Sequence, residues 1–156
     1  MKFELRDYQR DAAAEVLGQL DAALNMARLT KPQRSSFALS AVTGSGKTVI
    51  ATAVIEALLH GSADLDTDAR PNTTFLWVTD DPALNRQTRS KMLQASDLLT
   101  PGEIREIDNG YLDRELLAGR VYLLNIQKLW KNATLAKSGV DLRQHSFWDV
   151  IGNTIN

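Results

Sequence analysis

Eight residues between two apolar segments constrain the fold of this chain more than any other feature. Residues 41–48 are AVTGSGKT; the apolar run FALSA overlaps their start, and the segment KTVIATAVIEALLH overlaps their end. A glycine-rich turn ending at a helix N-terminus offers successive backbone amides to phosphate oxygens, and its lysine adds a positive charge. Such a turn joins a strand to a helix. The sequence therefore predicts an α/β protein with a phosphate-binding loop.

Each position of this loop has an expected role. Gly44 and Gly46 allow backbone angles and a close approach that other residues would block. Lys47 would contact the β- and γ-phosphates, and the Thr48 hydroxyl would ligate Mg²⁺, which makes both residues candidates for a catalytic role. The full set of expected phosphate-binding residues is Thr43, Gly44, Ser45, Gly46, Lys47 and Thr48. The alternative is an ordinary strand-to-helix turn without a ligand.

Composition excludes several classes of protein. With 156 residues, 44% hydrophobic and 24% charged, the chain is long enough for one globular domain with a core. The net charge of −1 argues against a free-standing basic nucleic-acid binder, and the lack of cysteine excludes disulfides and thiolate metal sites. No apolar run is long enough to span a membrane, so no signal peptide or membrane anchor is expected, and the absence of cysteine favours a reducing, cytoplasmic setting. His60 and His145 stand alone and are expected to be solvated or structural.

Helical and strand patterns alternate along the chain. Four helices are predicted. The first follows Asp7, which we expect at the N-cap, and the second runs from the phosphate loop to a stop at Gly61. The third follows the Asp80–Asp81 pair, and the fourth lies in the tail SFWDVIGNTIN. Buried strands are predicted for FALSA, TTFLWVT and VYLLNIQ, with a further strand at EIREI. This alternation indicates a mostly parallel sheet with helices on both faces.

Alanine at the head of the loop, A-x-T-G-S-G-K-T, resembles the first motif of the superfamily 2 helicases and translocases. Upstream, LRDYQRDA resembles the helicase Q motif. That resemblance implies that Gln9 recognises the adenine edge, because a carboxamide offers both a donor and an acceptor, with Arg6 and Tyr8 near the base. Taken without the loop, Gln9 would be a polar residue on an exposed helix face.

The stretch FLWVTDDPALNRQT has two interpretations. In one, Asp80 or Asp81 ends a Walker B strand and holds magnesium. In the other, favoured by the positions of Pro82, Leu84 and Gln87, it resembles helicase motif Ia, which touches the nucleic-acid backbone. The contact residues would then be Thr79, Arg86, Gln87 and Arg89. Two carboxylates would repel phosphate there, and in either case one of them caps the next helix.

Three stretches, VTDDPALNRQTRSKML, VYLLNIQKLWKN and SFWDVIGNTI, resemble the motor subunit of type III restriction enzymes and related DEAD/DEAH-box restriction helicases. The resemblance implies a P-loop NTPase of the RecA-like three-layer sandwich type, with ATP and Mg²⁺ as cofactors. It places Asn125 and Gln127 where they could approach nucleic acid, although a strand ending in polar residues explains them equally well. Base stacking is one use for Trp77, Trp130 and Trp148; packing against the sheet is expected for at least two of them.

One element of such a motor is missing from the sequence. No apolar strand followed by Asp-Glu occurs, although that acidic box orients Mg²⁺ and the attacking water. Residues 1–30 would form the Q-motif helix region and 36–156 an incomplete α/β core, truncated before the box. The expected protein is therefore the N-terminal portion of an ATP-dependent DNA helicase or translocase, in which 1–156 binds ATP but hydrolyses little.

Partners and rival functions follow from the same resemblance. DNA, through the complete motor, and a modification methyltransferase subunit are the implied partners, and no membrane is involved. One rival is a non-catalytic nucleotide-binding regulatory module. The other is a small P-loop phosphotransferase that uses Asp80, which predicts turnover unaffected by DNA.

Overall fold

A parallel three-stranded sheet organises the structure. The strands are β1 (Thr74–Thr79), β2 (Ile104–Ile107) and β3 (Arg120–Asn125), in the order β1-β3-β2. Both pairings are parallel, and Thr79 lies opposite Asn125 at the carboxyl ends of β1 and β3. The computed structural model describes residues 1–29, 35–130, 133–139 and 142–155.

The described residues form four helices. They are α1 (Asp7–Ala27), α2 (Lys47–His60), α3 (Pro82–Ala95) and α4 (Phe147–Ile155). Two short 3₁₀ turns, Ile126–Leu129 and Thr134–Ala136, follow β3. The α/β class with a parallel sheet is confirmed, and so are the predicted helices and the strands β1, β2 and β3.

The two faces of the sheet are covered by different helices. Met92 of α3 and Ile55 of α2 pack against Val121 and Leu123 of β3 on one face. The opposite face carries Tyr122 and Leu124, which pack with Phe147 and Val150 of α4. Because side chains alternate along a strand, the single strand β3 supplies both cores. This places α2 and α3 on one side of the sheet and α4 on the other.

Helix α2 lies between α1 and the sheet. Nine of its 14 residues are buried, as expected from a sequence that is apolar nearly all round. Ile50, Val54 and Leu58 contact Ala13 and Leu17 of α1 on the side away from β3. The helix ends at Gly61, whose φ of 81° favours glycine, in agreement with the sequence prediction.

The predicted strand FALSA is not formed. Residues 37–41 have no strand assignment, and within the described part of the chain their backbone makes no backbone hydrogen bond. Phe37 and Leu39 are exposed. An apolar, β-prone sequence becomes a strand only when a neighbour pairs with it, and in the described residues none does.

Two smaller predictions are also wrong. Helix α1 begins at Asp7 with Arg6 in the N-cap position, one residue earlier than expected. Strand β1 is only half-buried, because Leu76 and Val78 are exposed on the face that α2 and α3 do not cover. The strand lies at the edge of the sheet, where fewer elements cover it, and is therefore less buried than its sequence predicts.

Candidate functional site

The glycine-rich loop has the backbone geometry that its sequence predicts. Gly44 and Gly46 have φ values of 87° and 86°, in the left-handed region that favours glycine. Gly46 is also the N-cap residue of α2. A Cβ at Gly46 would come within 2.5 Å of Gln9 Nε2, whereas one at Gly44 would meet no atom within 4 Å. A side chain at Gly46 would therefore strain the backbone and also displace the end of the Gln9 side chain.

Unpaired donors are concentrated at this loop. The backbone amides of residues 46–49 donate to no acceptor within the described part of the chain. The buried hydroxyl of Ser45 likewise has no partner among the residues the structure describes. Adjacent amides at a helix N-terminus, reinforced by the helix dipole, favour an anion. The donor set fits the phosphate groups of a nucleotide.

Lys47 and Thr48 lie at the first turn of α2. The Lys47 ammonium donates to the carbonyls of Ala41 at 2.7 Å and Val42 at 3.1 Å, so the exposed lysine folds back along the loop. The Thr48 hydroxyl makes no hydrogen bond to any described residue, although its backbone carbonyl accepts from Thr52 at 2.7 Å. The Thr48 hydroxyl thus has no partner among the described residues, whereas the Lys47 ammonium would have to exchange its carbonyl partners to contact a ligand.

The loop is held by the start of α1. Gln9 Nε2 and the Tyr8 hydroxyl both donate to the Ser45 carbonyl, at 3.1 Å and 2.9 Å. Gln9 Oε1 accepts from the backbone amide of Arg6 at 3.1 Å, which caps the helix. The structure therefore brings Tyr8 and Gln9 to the phosphate loop, and Arg6 is joined to Gln9 through its backbone amide. The bonds to Ser45 had no signal in the sequence.

A cavity of about 480 Å³ lies beside the loop. Besides loop residues and Val49, it is lined by four residues that the sequence did not single out: Phe3, Lys91, Gln94 and Ala95. Lys91 makes no hydrogen bond or ion pair within the described residues. No motif marks these residues. Those of α3 reach the loop through the packing of α3 against α2, whereas Phe3 precedes α1.

The residues expected to contact nucleic acid fall into two groups. Thr79 donates to Asn85 Oδ1 at 2.6 Å, and Arg89 donates to the carbonyls of Ile104 and Pro101, both at 3.1 Å. Their polar groups thus have partners within the protein. Arg86 and Gln87 are exposed, and neither has a polar partner in the part of the chain that the structure describes.

Asp81 caps α3, as both interpretations of this stretch expected. Its Oδ1 accepts from the backbone amide of Ala83 at 2.8 Å, and Pro82 occupies the first helical position. Gln127 reaches the same junction, where its side chain donates to the Asp80 carbonyl at 3.1 Å. The carboxyl ends of β1 and β3 are thus joined by polar contacts.

The tryptophan prediction is wrong. Trp77 packs against the core beneath α2 and α3, but Trp130 and Trp148 are 62% and 57% exposed. One tryptophan, and not two, therefore packs against the sheet.

His60 has a structural contact, with Nε2 3.4 Å from Glu103 Oε1. Asn125 is buried, and its Nδ2 has no partner in the described residues.

The described residues contain neither a metal-binding cluster of side chains nor a helix that could span a membrane. Among them, no group of three or more histidine, aspartate or glutamate side chains is arranged to hold a metal ion. Nor does any helix in these ranges have the length and apolar character needed to cross a membrane.

Comparison with known proteins identifies a family. The family model for type III restriction enzyme, res subunit, matches residues 2–151. The match covers nearly the whole chain, including the phosphate loop, the start of α1 and all three strands. No curated protein and no solved structure matches the chain significantly.

Proposed function

The chain belongs to the family of type III restriction enzyme res subunits, and from this premise we propose that it is the ATP-binding front portion of a DNA helicase or translocase motor. The observation that most supports ATP binding is the run of unpaired amides at residues 46–49, next to Lys47 and at the N-terminus of α2. A resident anion would satisfy these donors, and a triphosphate would satisfy several of them at once.

In this proposal each loop residue has a separate task. The amides of residues 46–49 hold phosphate oxygens, and Lys47 exchanges the carbonyls of Ala41 and Val42 for phosphate. The Thr48 hydroxyl contributes one oxygen ligand to Mg²⁺, which would neutralise phosphate charge when bound. Gln9 recognises the adenine edge.

Adenine recognition by Gln9 would use two side-chain atoms that already make hydrogen bonds. Its carboxamide oxygen accepts from Arg6 and its nitrogen donates to Ser45, so both polar atoms already have partners. We expect adenine to bond to the same two carboxamide atoms, either together with Arg6 and Ser45 or in their place. Recognition of the base would thereby be linked to the position of the phosphate loop.

Hydrolysis requires groups that the sequence does not contain. No Asp-Glu pair follows an apolar strand in residues 1–156. We therefore expect this chain alone to bind ATP and to hydrolyse little of it, with DNA movement belonging to a longer motor. The positions of Arg86 and Gln87 on the exposed side of α3 are consistent with contact to a DNA backbone in that motor.

Titration with ATP and Mg²⁺ tests the proposal. Lys47→Ala should weaken ATP binding by about 10-fold to 150-fold, because hydrogen bonds to charged groups contribute about 1.5–3 kcal/mol. Lys137→Ala is the control, since it removes the same charge from an exposed position after β3. Equal affinities for the two variants would contradict the assignment of the loop. Robust ATPase activity in the unaltered chain, abolished by Lys47→Ala, would show that it already contains a catalytic acid.

A further inference from the structure

Helix α3 contributes a lysine to the cavity beside the phosphate loop. Lys91 and Gln94 lie three residues apart, and so on one side of the helix, and both line this cavity of about 480 Å³. Gly44, Gly46 and Thr48 line it as well. The cavity is therefore formed between the second half of α3 and the start of α2. Its volume is within the range of small-molecule sites, about 300–1,000 Å³.

Lys91 has no role in the packing of α3. The residues that α3 buries in the core are Asn85, Thr88, Met92 and Ala95. Lys91 is exposed and makes no hydrogen bond or ion pair within the described residues. An exposed lysine of this kind is common and by itself indicates only a solvated charge. What distinguishes Lys91 is the set of groups with which it shares the cavity.

Those groups are positively polarised and lack a counter-charge. Lys47 and Lys91 both line the cavity, and among the described residues no aspartate or glutamate does. The backbone amides of residues 46–49, which donate to no acceptor in the described part of the chain, belong to the same lining. Two ammonium groups beside a helix N-terminus favour an anion. A ligand that satisfies all these donors carries several anionic oxygens, as a chain of phosphates does.

The two lysines of the cavity differ in their partners. The Lys47 ammonium donates to the carbonyls of Ala41 and Val42, and it has to give up these bonds to reach a ligand. Lys91 has no such bonds to give up within the described residues. A lysine is a compact charge on a flexible stem, which allows it to reach a phosphate from a neighbouring helix.

We propose that Lys91 binds a phosphate group of the nucleotide, so that α3 supplies a second cation to the site beside Lys47. This inference rests on the proposed function, and it adds a residue of α3 to a site otherwise formed by the loop and the start of α1. The nucleotide is then held between α2 and α3. The role of Lys91 is to bind and position the phosphates.

Titrations with ATP and with inorganic tripolyphosphate, both in the presence of Mg²⁺, test this role. Lys91→Ala should weaken the affinity for each ligand by about tenfold, the effect of one hydrogen bond between charged groups. Lys137→Ala is the control, because it removes the same charge from an exposed position that does not line the cavity, and it should leave both affinities unchanged. The denaturant midpoint of Lys91→Ala should equal that of the unaltered chain, since no partner is lost.

Three results would overturn the inference. Unchanged affinities in Lys91→Ala, with ATP binding weakened in Lys47→Ala, would exclude Lys91 from the site and leave the proposed function intact. A loss of affinity for ATP but not for tripolyphosphate would place Lys91 at the base or the ribose. An equal loss in Lys137→Ala would assign the effect to the net charge of the chain. Failure of the unaltered chain to bind ATP would count against the proposed function itself, and the role of Lys91 would fall with it.

Discussion

The Gln9 side chain donates from Nε2 to the carbonyl oxygen of Ser45 at 3.1 Å, which ties the first turn of α1 to the phosphate loop. The same carbonyl accepts from the Tyr8 hydroxyl at 2.9 Å. Two side chains thus hold one peptide group of the loop in place. Because the loop has two left-handed glycines and few bonds of its own, this contact from outside fixes the direction of its amides.

Gln9→Ala should loosen the loop and reduce selectivity between nucleotides. The substitution removes the bond to Ser45 and the helix cap on Arg6, and each hydrogen bond is worth about 0.5–1.5 kcal/mol. We expect the affinity ratio of ATP to GTP to fall and the free energy of unfolding to decrease by about 1–3 kcal/mol. Gln19→Ala, on the exposed side of the same helix, is the matched control. An unchanged ATP to GTP ratio would remove Gln9 from base recognition.

Two glycine substitutions separate backbone strain from steric clash. Gly44→Ala places a Cβ in open space at a left-handed φ and should reduce the free energy of unfolding by about 1–2 kcal/mol. Gly46→Ala adds a clash with Gln9 to the same strain, so its loss should be clearly larger. Chemical denaturation of both variants gives the comparison. Equal losses of unfolding free energy in the two variants would mean that the Gln9 side chain moves away from the added Cβ without a measurable cost.

Arg89 and Arg86 should respond differently to substitution by alanine. Arg89 bonds to the carbonyls of Ile104 and Pro101, so Arg89→Ala should destabilise the fold by about 1–3 kcal/mol. Arg86→Ala should alter stability by no more than about 0.5 kcal/mol, because its exposed side chain has no partner in the described residues. If α3 contacts DNA in the longer motor, Arg86→Ala should weaken DNA binding there. A stability loss in Arg86→Ala as large as that in Arg89→Ala would contradict this division.

Glu56 should make stability depend on pH in the acid range. Burial alone raises the pKa of Glu56, but hydrogen bonds from the Met1 ammonium and the Ser96 hydroxyl outweigh burial, and the pKa is lowered from its usual 4.5. Since the pKa is lower in the folded state, the stabilisation is complete above the unfolded pKa of Glu56. It is lost as the pH falls through the folded pKa.

The variant Glu56→Gln tests this pH dependence. It should be less stable than the unaltered chain near neutral pH, and it should lose less further stability on acidification. Denaturant unfolding between about pH 3 and 7, with the Met1 amine free, measures both effects. Glu106→Gln is the control, because the exposed Glu106 carboxylate on β2 has no hydrogen-bond or ion-pair partner in the described residues. Parallel stability curves for Glu56→Gln and the unaltered chain would contradict the role of Glu56.

Local patterns were sufficient for most of the secondary structure. The apolar periodicity of α2, the Asp81-Pro82 start of α3 and the β-branched runs of β1 and β3 each depend on residues close in sequence. The phosphate loop was recognised for the same reason, since its glycines, lysine and helix start lie within a few residues of one another. The position of Gln9 near the loop came from family resemblance and not from spacing.

The sequence by itself determined the helices, three of the four predicted strands and the backbone geometry of the glycine-rich loop, because helix caps, periodicity and left-handed glycines act over a few residues. Tertiary structure alone decided that residues 37–41 are not a strand, that Arg89 has partners in the protein while Arg86 does not, and that Lys91 lines the cavity beside the loop. The physical reason is that strand pairing and side-chain partnering require neighbours distant in the chain. Only the packed fold determines whether those neighbours are present.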